Sequence, residues 1–350
     1  MVLAICLYGF QFMLAVNKVA VIAATALYLV GAIAYAGDFD AGYSPGAVAG
    51  VLPAFIGSTL LVMANPLSFG AFLGDWSRYI PASASRGRLM LAAFGAQLAT
   101  LVPFTFGLAT ASIIATGAPD FAAEGNYAGG LIEITPGWFL LPVCIIAVVG
   151  GLSTGTTALY GTGLDFSSVF PAFSRFQSTV LIGTLAIAII FLGRFALDFV
   201  QTIVTFATLI IICTTPWVVI MTIGFIVRRG WYDPDALQVF NRRQRGGRYW
   251  FSGGVNYRGM AAWLPAAVVG LLFVNIPGQF EGPLRNTAEE LGFERMAGVD
   301  VSLLVAILLA AVLYVAALLL APESRAVYGP DGPQLGRTTH AEPPPVAARV

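Results

Sequence analysis

Residues 64–80 read Ala64-Asn65-Pro66-Leu67-Ser68-Phe69-Gly70-Ala71-Phe72-Leu73-Gly74-Asp75-Trp76-Ser77-Arg78-Tyr79-Ile80. An apolar run from Val48 to Met63 leads into this stretch. Asn65, Pro66, Ser68, Gly70 and Gly74 then interrupt the run before Asp75 and Arg78 close it. Pro removes a backbone donor and Gly loosens a helix, and in a bilayer the groups so freed are tolerated only against protein or a wet cavity. Two readings are open. Pro and Gly are common in membrane helices and often only kink them. The other reading is a helix broken within 64–74, favoured by Asn65 and Ser68, because polar side chains at membrane depth mark functional positions. A discontinuous helix of this kind points to a transporter's binding site.

Composition puts the rest of the chain in the same setting. The 350 residues are 58% hydrophobic and 10% charged, with a mean hydropathy of +0.82, more apolar surface than one soluble core can hide. The chain reads as an all-α, multi-pass protein of the cell membrane, with the lipid bilayer as its first partner. Its zero net charge is segregated by loop, and no basic domain is present to bind nucleic acid. Cys6, Cys144 and Cys213 lie apart in apolar runs, without disulfide or metal spacing, and His340 stands in a polar tail. No acidic cluster, metal-binding His set or nucleophile with its base occurs in the spans, so the chain is not expected to be an enzyme or to carry a cofactor. Ring-forming filter motifs of a channel are also missing.

A span needs about 20 apolar residues. Nine segments are expected on that rule, near Val2 to Val16, Val19 to Ala36, Val48 to Leu73, Leu89 to Thr116, Trp138 to Thr162, Ser178 to Gly193, Phe199 to Val227, Met260 to Ile276 and Val299 to Leu320. Placing Lys18, the Arg78 to Arg88 loop, Arg175, the Arg228 to Arg258 loop and the tail on the cytoplasmic side leaves only Arg194, Arg285 and Arg295 outside, as the positive-inside rule requires. The C-terminus is then cytoplasmic and the N-terminus external. The first segment is short and lacks a basic flank, so Met1 is expected to be an internal residue, with about three further spans before it.

In the fifth segment Gly150, Ser153, Thr154, Thr157, Tyr160 and Gly161 recur at spacings of three and four, which gathers small and hydroxyl side chains on one helix face. Such a stripe either packs helices closely or offers uncharged oxygens to a hard cation such as Na⁺. In the seventh segment Thr202, Thr205 and Thr208 are expected to satisfy their own helix.

The Asp75-Trp76-Ser77-Arg78-Tyr79 run resembles the signature that closes the sixth helix of the nucleobase:cation symporter-1 family, the purine-cytosine permeases and their relatives. Ser153-Thr154-Gly155-Thr156-Thr157-Ala158-Leu159-Tyr160-Gly161 resembles the family's eighth helix. Pro216-Trp217 through Arg228-Arg229-Gly230-Trp231-Tyr232-Asp233 resembles its tenth helix and the loop after it, and Val299-Asp300-Val301-Ser302 the start of its last helix. The resemblance implies the second half of a five-plus-five inverted-repeat transporter fold with a broken helix, plus two C-terminal helices. Residues 1–46 would be a remnant of the first repeat, 47–227 the second repeat, 228–259 a basic cytoplasmic loop and 260–320 the two C-terminal spans.

What the family does is import a flat heterocycle, a cytosine-, purine- or uracil-like nucleobase, by symport with Na⁺ or H⁺ and alternating access; allantoin-, hydantoin- and vitamin-like rings are the alternative substrates. By position the resemblance implies Phe69 for stacking, Asn65 and Ser68 for hydrogen bonds, with Tyr160 and Phe72 as further substrate contacts. Gly150, Ser153 and Thr154 match half of a Na⁺ site, and Asp75 with Arg78 would be a cytoplasmic gate pair. Hydantoin-type members carry an Asn where this chain has Leu159, which argues against hydantoin recognition. The family's first and third helices have no counterpart here, so residues 1–350 alone are expected not to transport, while a longer product would. The other reading is a non-transporting membrane remnant that associates with other proteins.

Two segments lie outside the membrane. The arginine-rich loop from Arg228 to Arg258 fixes topology and has the composition to meet anionic headgroups. From 321 onward the Gly-Pro-Asp-Gly-Pro and Pro-Pro-Pro runs are expected to leave a disordered tail.

Overall fold

The computed structural model describes residues 1–43, 51–70, 73–77, 79–81, 83–170, 172–196, 199–240, 242, 244–276, 280–290 and 299–348. Its helices are α1 Val2–Tyr8, α2 Phe10–Ala34, α3 Val51–Phe69, α4 Leu73–Ser77, α5 Arg86–Ala99, α6 Leu101–Gly117, α7 Pro119–Ala123, α8 Tyr127–Glu133, α9 Leu140–Val169, α10 Arg175–Ala196, α11 Phe199–Val227, α12 Pro234–Leu237, α13 Tyr257–Leu272, α14 Thr287–Glu290 and α15 Ser302–Leu320. Four two-residue strands complete it: β1 Gln244–Arg245, β2 Asn275–Ile276, β3 Phe280–Glu281 and β4 Ala347–Ala348. Among the described residues six helices are long and apolar enough to cross a membrane, at Phe10–Ala34, Arg86–Gly117, Leu140–Val169, Arg175–Gly193, Thr208–Val227 and Ser302–Leu320. The apolar helices Val51–Leu60 and Tyr257–Leu272 are shorter.

The first two expected spans are redrawn. No junction occurs at Asn17-Lys18, where α2 runs on without a break and Asn17 Nδ2 donates back to Met13 O at 2.9 Å. The break falls instead at Gly9, whose φ of +96° is open to glycine and rare for other residues. The junction nevertheless stays at the end that the arginines assign to the cytoplasm, because Arg175 Nη2 donates to Cys6 O at 3.4 Å beside it. Lys18 is exposed on α2 about 13 Å from that end, a reach that a lysine side chain shortens by bending towards the interface. The 64–74 stretch holds a helix end and a helix start. α3 continues past Pro66 to Phe69, and α4 begins at Leu73.

The chain forms two compact units, the first made of Met1–Ser44 and Gly74–Thr202, the second of Pro45–Leu73 and Ile203–Val350. In the first, α1 and α2 pack on α9 through Ile5, Cys6, Met13, Leu159 and Tyr160. Glycines let the helices approach. A Cβ on Gly155 would meet Val2 at 3.1 Å, one on Gly183 would meet Leu3 at 2.6 Å, and one on Gly163 would meet Thr179 Oγ1 at 2.6 Å. At the other end of this unit Tyr35, Ile113, Phe139 and Val143 form a second core, closed by a 2.6 Å hydrogen bond between the Tyr35 and Thr135 hydroxyls.

In the second unit α13 and α15 lie antiparallel with small residues in the seam: Ala262, Ala266, Ala306 and Ala310 are wholly buried, and Gly270 meets Ala306. Asp300 fixes the start of α15, its carboxylate accepting from Ser302 N at 2.8 Å and from Asn275 N at 3.0 Å.

The tail is not disordered as its composition suggests. Glu323 is 1% exposed and forms a 2.6 Å ion pair with Arg228 at the end of α11. Tyr328 donates to the same carboxylate at 2.9 Å, Gln334 N donates to Val227 O at 2.8 Å, and β4 pairs antiparallel with β1. Burial alone would lower the Arg228 guanidinium; Glu323, with Tyr314 and Tyr232, reverses that and holds it above its ordinary range. The tail lies against the end of α11 and the arginine-rich loop through these contacts, so low hydrophobicity does not prevent docking.

Two predictions follow from this packing. Glu323→Ala leaves Arg228 charged and buried, and is expected to cost roughly 3–5 kcal/mol, read as a lowered thermal midpoint in detergent. Burial first, then the Glu323 carboxylate, hold the Tyr328 phenol above its ordinary value of 10.0. The folded state thus keeps a proton that the unfolded chain loses there, so stability is intact below the ordinary phenol range and falls as pH rises through it. Tyr328→Phe should weaken the tail contact yet flatten that alkaline fall in a series of melts. Separately, Gly163→Val should push α9 from α10 at a cost of about 1–3 kcal/mol, whereas Gly151→Ala, with nothing within 4 Å of its new methyl, should not lower the midpoint.

Candidate transport site

The hydroxyl face of α9 is where the structure gathers uncharged oxygen at membrane depth. The helix is long enough to cross, and its own backbone absorbs most of the hydroxyls: Thr156 and Thr157 donate to Ser153 O at 3.0 and 2.8 Å, and Thr162 donates to Ala158 O at 2.9 Å. Ser153 behaves differently. Its Oγ donates across to Asn17 Oδ1 on α2. Asn17 is oriented for this by the bond from its Nδ2 to Met13 O. Two neutral oxygens from two helices therefore meet at one point, half-buried.

Gly150 lies one turn before Ser153 and lines a cavity of about 450 Å³ with Tyr28, Phe106, Tyr127, Ala147 and neighbours. Thr154 is exposed on another side of α9. Of the three expected cation residues, Ser153 gains a partner oxygen, Gly150 borders a cavity and Thr154 faces away. Oxygens of this kind suit a hard cation without adding charge. Among the described residues no group of His, Cys, Asp and Glu is arranged to hold a metal ion.

Tyr160, two turns beyond Ser153, is 2% exposed. Its hydroxyl shares a 2.7 Å hydrogen bond with that of Tyr79, its ring is tilted against Phe10 at 5.8 Å, and the Arg175 guanidinium carbon lies 5.1 Å from its ring centre. The structure thus places Tyr160 in a closed aromatic cluster of the first unit, its ring engaged by protein. Ser68 and Phe69 are half-buried in the last turn of α3, in the second unit. Gly70 follows in close contact with α11, where a Cβ would lie 2.7 Å from Val218 Cγ2; this close approach accounts for the glycine. Phe72 and Arg78 lie outside the described residues, as do the side chains of Asn65 and Asp75, although Asn65 sits in α3 and Asp75 in α4.

Asn17, Phe10, Tyr79 and Arg175 are the residues that sequence reasoning passed over as site components. Asn17 left one signal, an amide beside Lys18 within an apolar run. Tyr79 was visible only as the end of a motif and Arg175 only as a topology charge.

Comparison with known proteins identifies the family. A profile described as permease for cytosine/purines, uracil, thiamine, allantoin matches residues 2–284. A Bacillus subtilis (strain 168) protein carrying the name purine-cytosine permease YxlA is 22% identical over 277 residues, 77% of this chain and 55% of that protein. The chain spans about half the length of the curated relative it matches. No solved structure matches. With long apolar helices and a profile covering most of its length, this chain belongs to the membrane permease family for cytosine and purines, uracil, thiamine and allantoin, a family of transporters rather than enzymes.

Proposed function

We propose that the protein acts in secondary active transport, importing a cytosine-, purine- or uracil-like nucleobase by cation symport with alternating access. The family match carries this reading. On it, residues 47–227 are the second repeat of a five-plus-five fold. Ser68 and Phe69 at the end of α3 are the proposed substrate contacts, together with Asn65 and Phe72, which are assigned by motif position alone. A nucleobase is polar at its rim and apolar on its faces, so hydroxyl and amide groups read its edge while an aromatic ring covers its face.

Cation coupling is supported by α9. The Ser153 hydroxyl, the adjacent Asn17 oxygen and the Gly150 carbonyl are neutral donors, which suits Na⁺ better than a proton, because none of them titrates near neutrality. Asp75 and Arg78 remain the proposed gate pair at the inner end. The alternative is a membrane protein that associates without transporting.

Counterflow separates the two readings. Vesicles containing the protein purified from its native membrane are loaded with unlabelled uracil, cytosine, adenine or thiamine and challenged with the labelled ring. Transient accumulation of one of them is expected with Na⁺ present. Ser153→Ala should raise the Na⁺ concentration for half-maximal exchange by about tenfold, the equivalent of ~1.4 kcal/mol. No accumulation of any ring by folded protein would favour the associating role instead.

A further inference from the structure

Tyr79 ends the Asp-Trp-Ser-Arg-Tyr run and is held where separate segments of the first unit meet. Its ring stacks on Phe10 with centroids 3.9 Å apart and planes 11° from parallel. Its hydroxyl bonds Tyr160 of α9 at 2.7 Å. Arg175, the first residue of α10, reaches the Tyr160 hydroxyl at 3.5 Å from Nη1 and Cys6 O at 3.4 Å from Nη2. That carbonyl also accepts from Gly9 N at the α1–α2 break. One node therefore joins the α1–α2 junction, the run after α4, α9 and the start of α10.

The chemistry of this node is that of a closure made to open. Among the described residues Arg175 forms no ion pair; a phenol, a ring face and a carbonyl hold its charge. The contacts seen among the described residues are a neutral phenol–phenol hydrogen bond, an aromatic stack, a cation–ring contact and two long charge-assisted bonds from Arg175 at 3.4 and 3.5 Å, none of them a paired charge. Tyr79 keeps 44% of its surface exposed, so it can leave without dragging a buried group into water. The permanent tie in this protein looks different: Arg228 and Glu323 are a buried ion pair. Tyr160 stands on the same helix as Ser153, two turns away, so movement of Tyr79 is felt along the helix that carries the oxygen pair.

We propose that Tyr79, Tyr160 and Arg175 form a releasable latch on the segment after α4, with Tyr79 and Arg175 as positioning residues for the transport cycle. The assignment to transport rests on the reading above; the latch itself rests on the contacts. Cys6 reports its state, being fully buried beneath it with Sγ donating to Thr156 O at 3.2 Å.

In a Cys144→Ser, Cys213→Ser background Cys6 is the one cysteine left within residues 1–350, and its labelling by N-ethylmaleimide in native membranes is followed on the peptide that contains it. The parent should react slowly. Tyr79→Ala and Arg175→Gln should react at least tenfold faster, and Tyr79→Phe, which keeps the stack, by a smaller factor. Tyr8→Ala, on the exposed side of α1, should match the parent. Thermal midpoints show which variants are folded, and Tyr79→Phe keeps the test open should the larger changes unfold the protein. Labelling at the parental rate in folded Tyr79→Ala and Arg175→Gln would overturn the latch. Counterflow supplies the second arm: these variants should change the maximal exchange rate severalfold while leaving half-saturation by the nucleobase unchanged. Faster labelling with an unaltered exchange rate would make the node purely structural and overturn the positioning role. A parent without counterflow would sink the transport reading, while the labelling result would still decide the latch.

Discussion

Inside a bilayer no water is available for a spare N–H or C=O, and most of what is unusual in this chain follows from that single constraint. Hydroxyls that look like ligands in the sequence are mostly spent on their own helices. Thr214, Thr215 and Thr222 of α11 each donate to the carbonyl four residues back, at 2.7, 2.7 and 2.8 Å. Pro216 lies within that helix, and one turn before it the Trp263 indole of α13 donates to Cys213 O at 2.8 Å. Against this background a hydroxyl that reaches another helix is informative, and Ser153 is such a group.

How much was legible in the sequence depends on which force set each feature. Span positions from Phe199 to Val227 and from Val299 to Leu320 matched closely, because long apolar runs with polar ends have little choice in a membrane. The family was legible from Asp75-Trp76-Ser77-Arg78-Tyr79 and the Ser153 to Gly161 run. The start of the chain misled for a local reason. Asn17 and Lys18 look like a loop by polarity, yet neither breaks a helix, while Gly9, which does, is hidden among apolar neighbours. Pro66 itself lies inside α3, which ends three residues later at Phe69, within the 64–74 stretch where the interruption was expected.

The site was half legible. Residue types along α9 showed that oxygen would be gathered there, but the helix period cannot say which hydroxyl meets another helix. Only the placement of α2 distinguishes Ser153 from Thr154. Tyr160 was assigned to substrate by its position in a motif, whereas its surroundings depend on Phe10, Tyr79 and Arg175, which come from far apart in the sequence. The tail was misjudged because disorder is inferred from an inability to form a core, and Glu323 needs only a core made by others.

That last pairing carries a consequence for biosynthesis. Glu323 follows Arg228 by 95 positions, and ribosomes add about 5–20 residues per second. For roughly 5 to 20 s after it emerges, Arg228 stands at the membrane boundary without its carboxylate. Through that interval the end of α11 carries an unneutralised positive charge while α13 and α15 are synthesised. The arginine thus spends its first seconds as a flanking charge, and becomes a structural residue only once the last helix is in place.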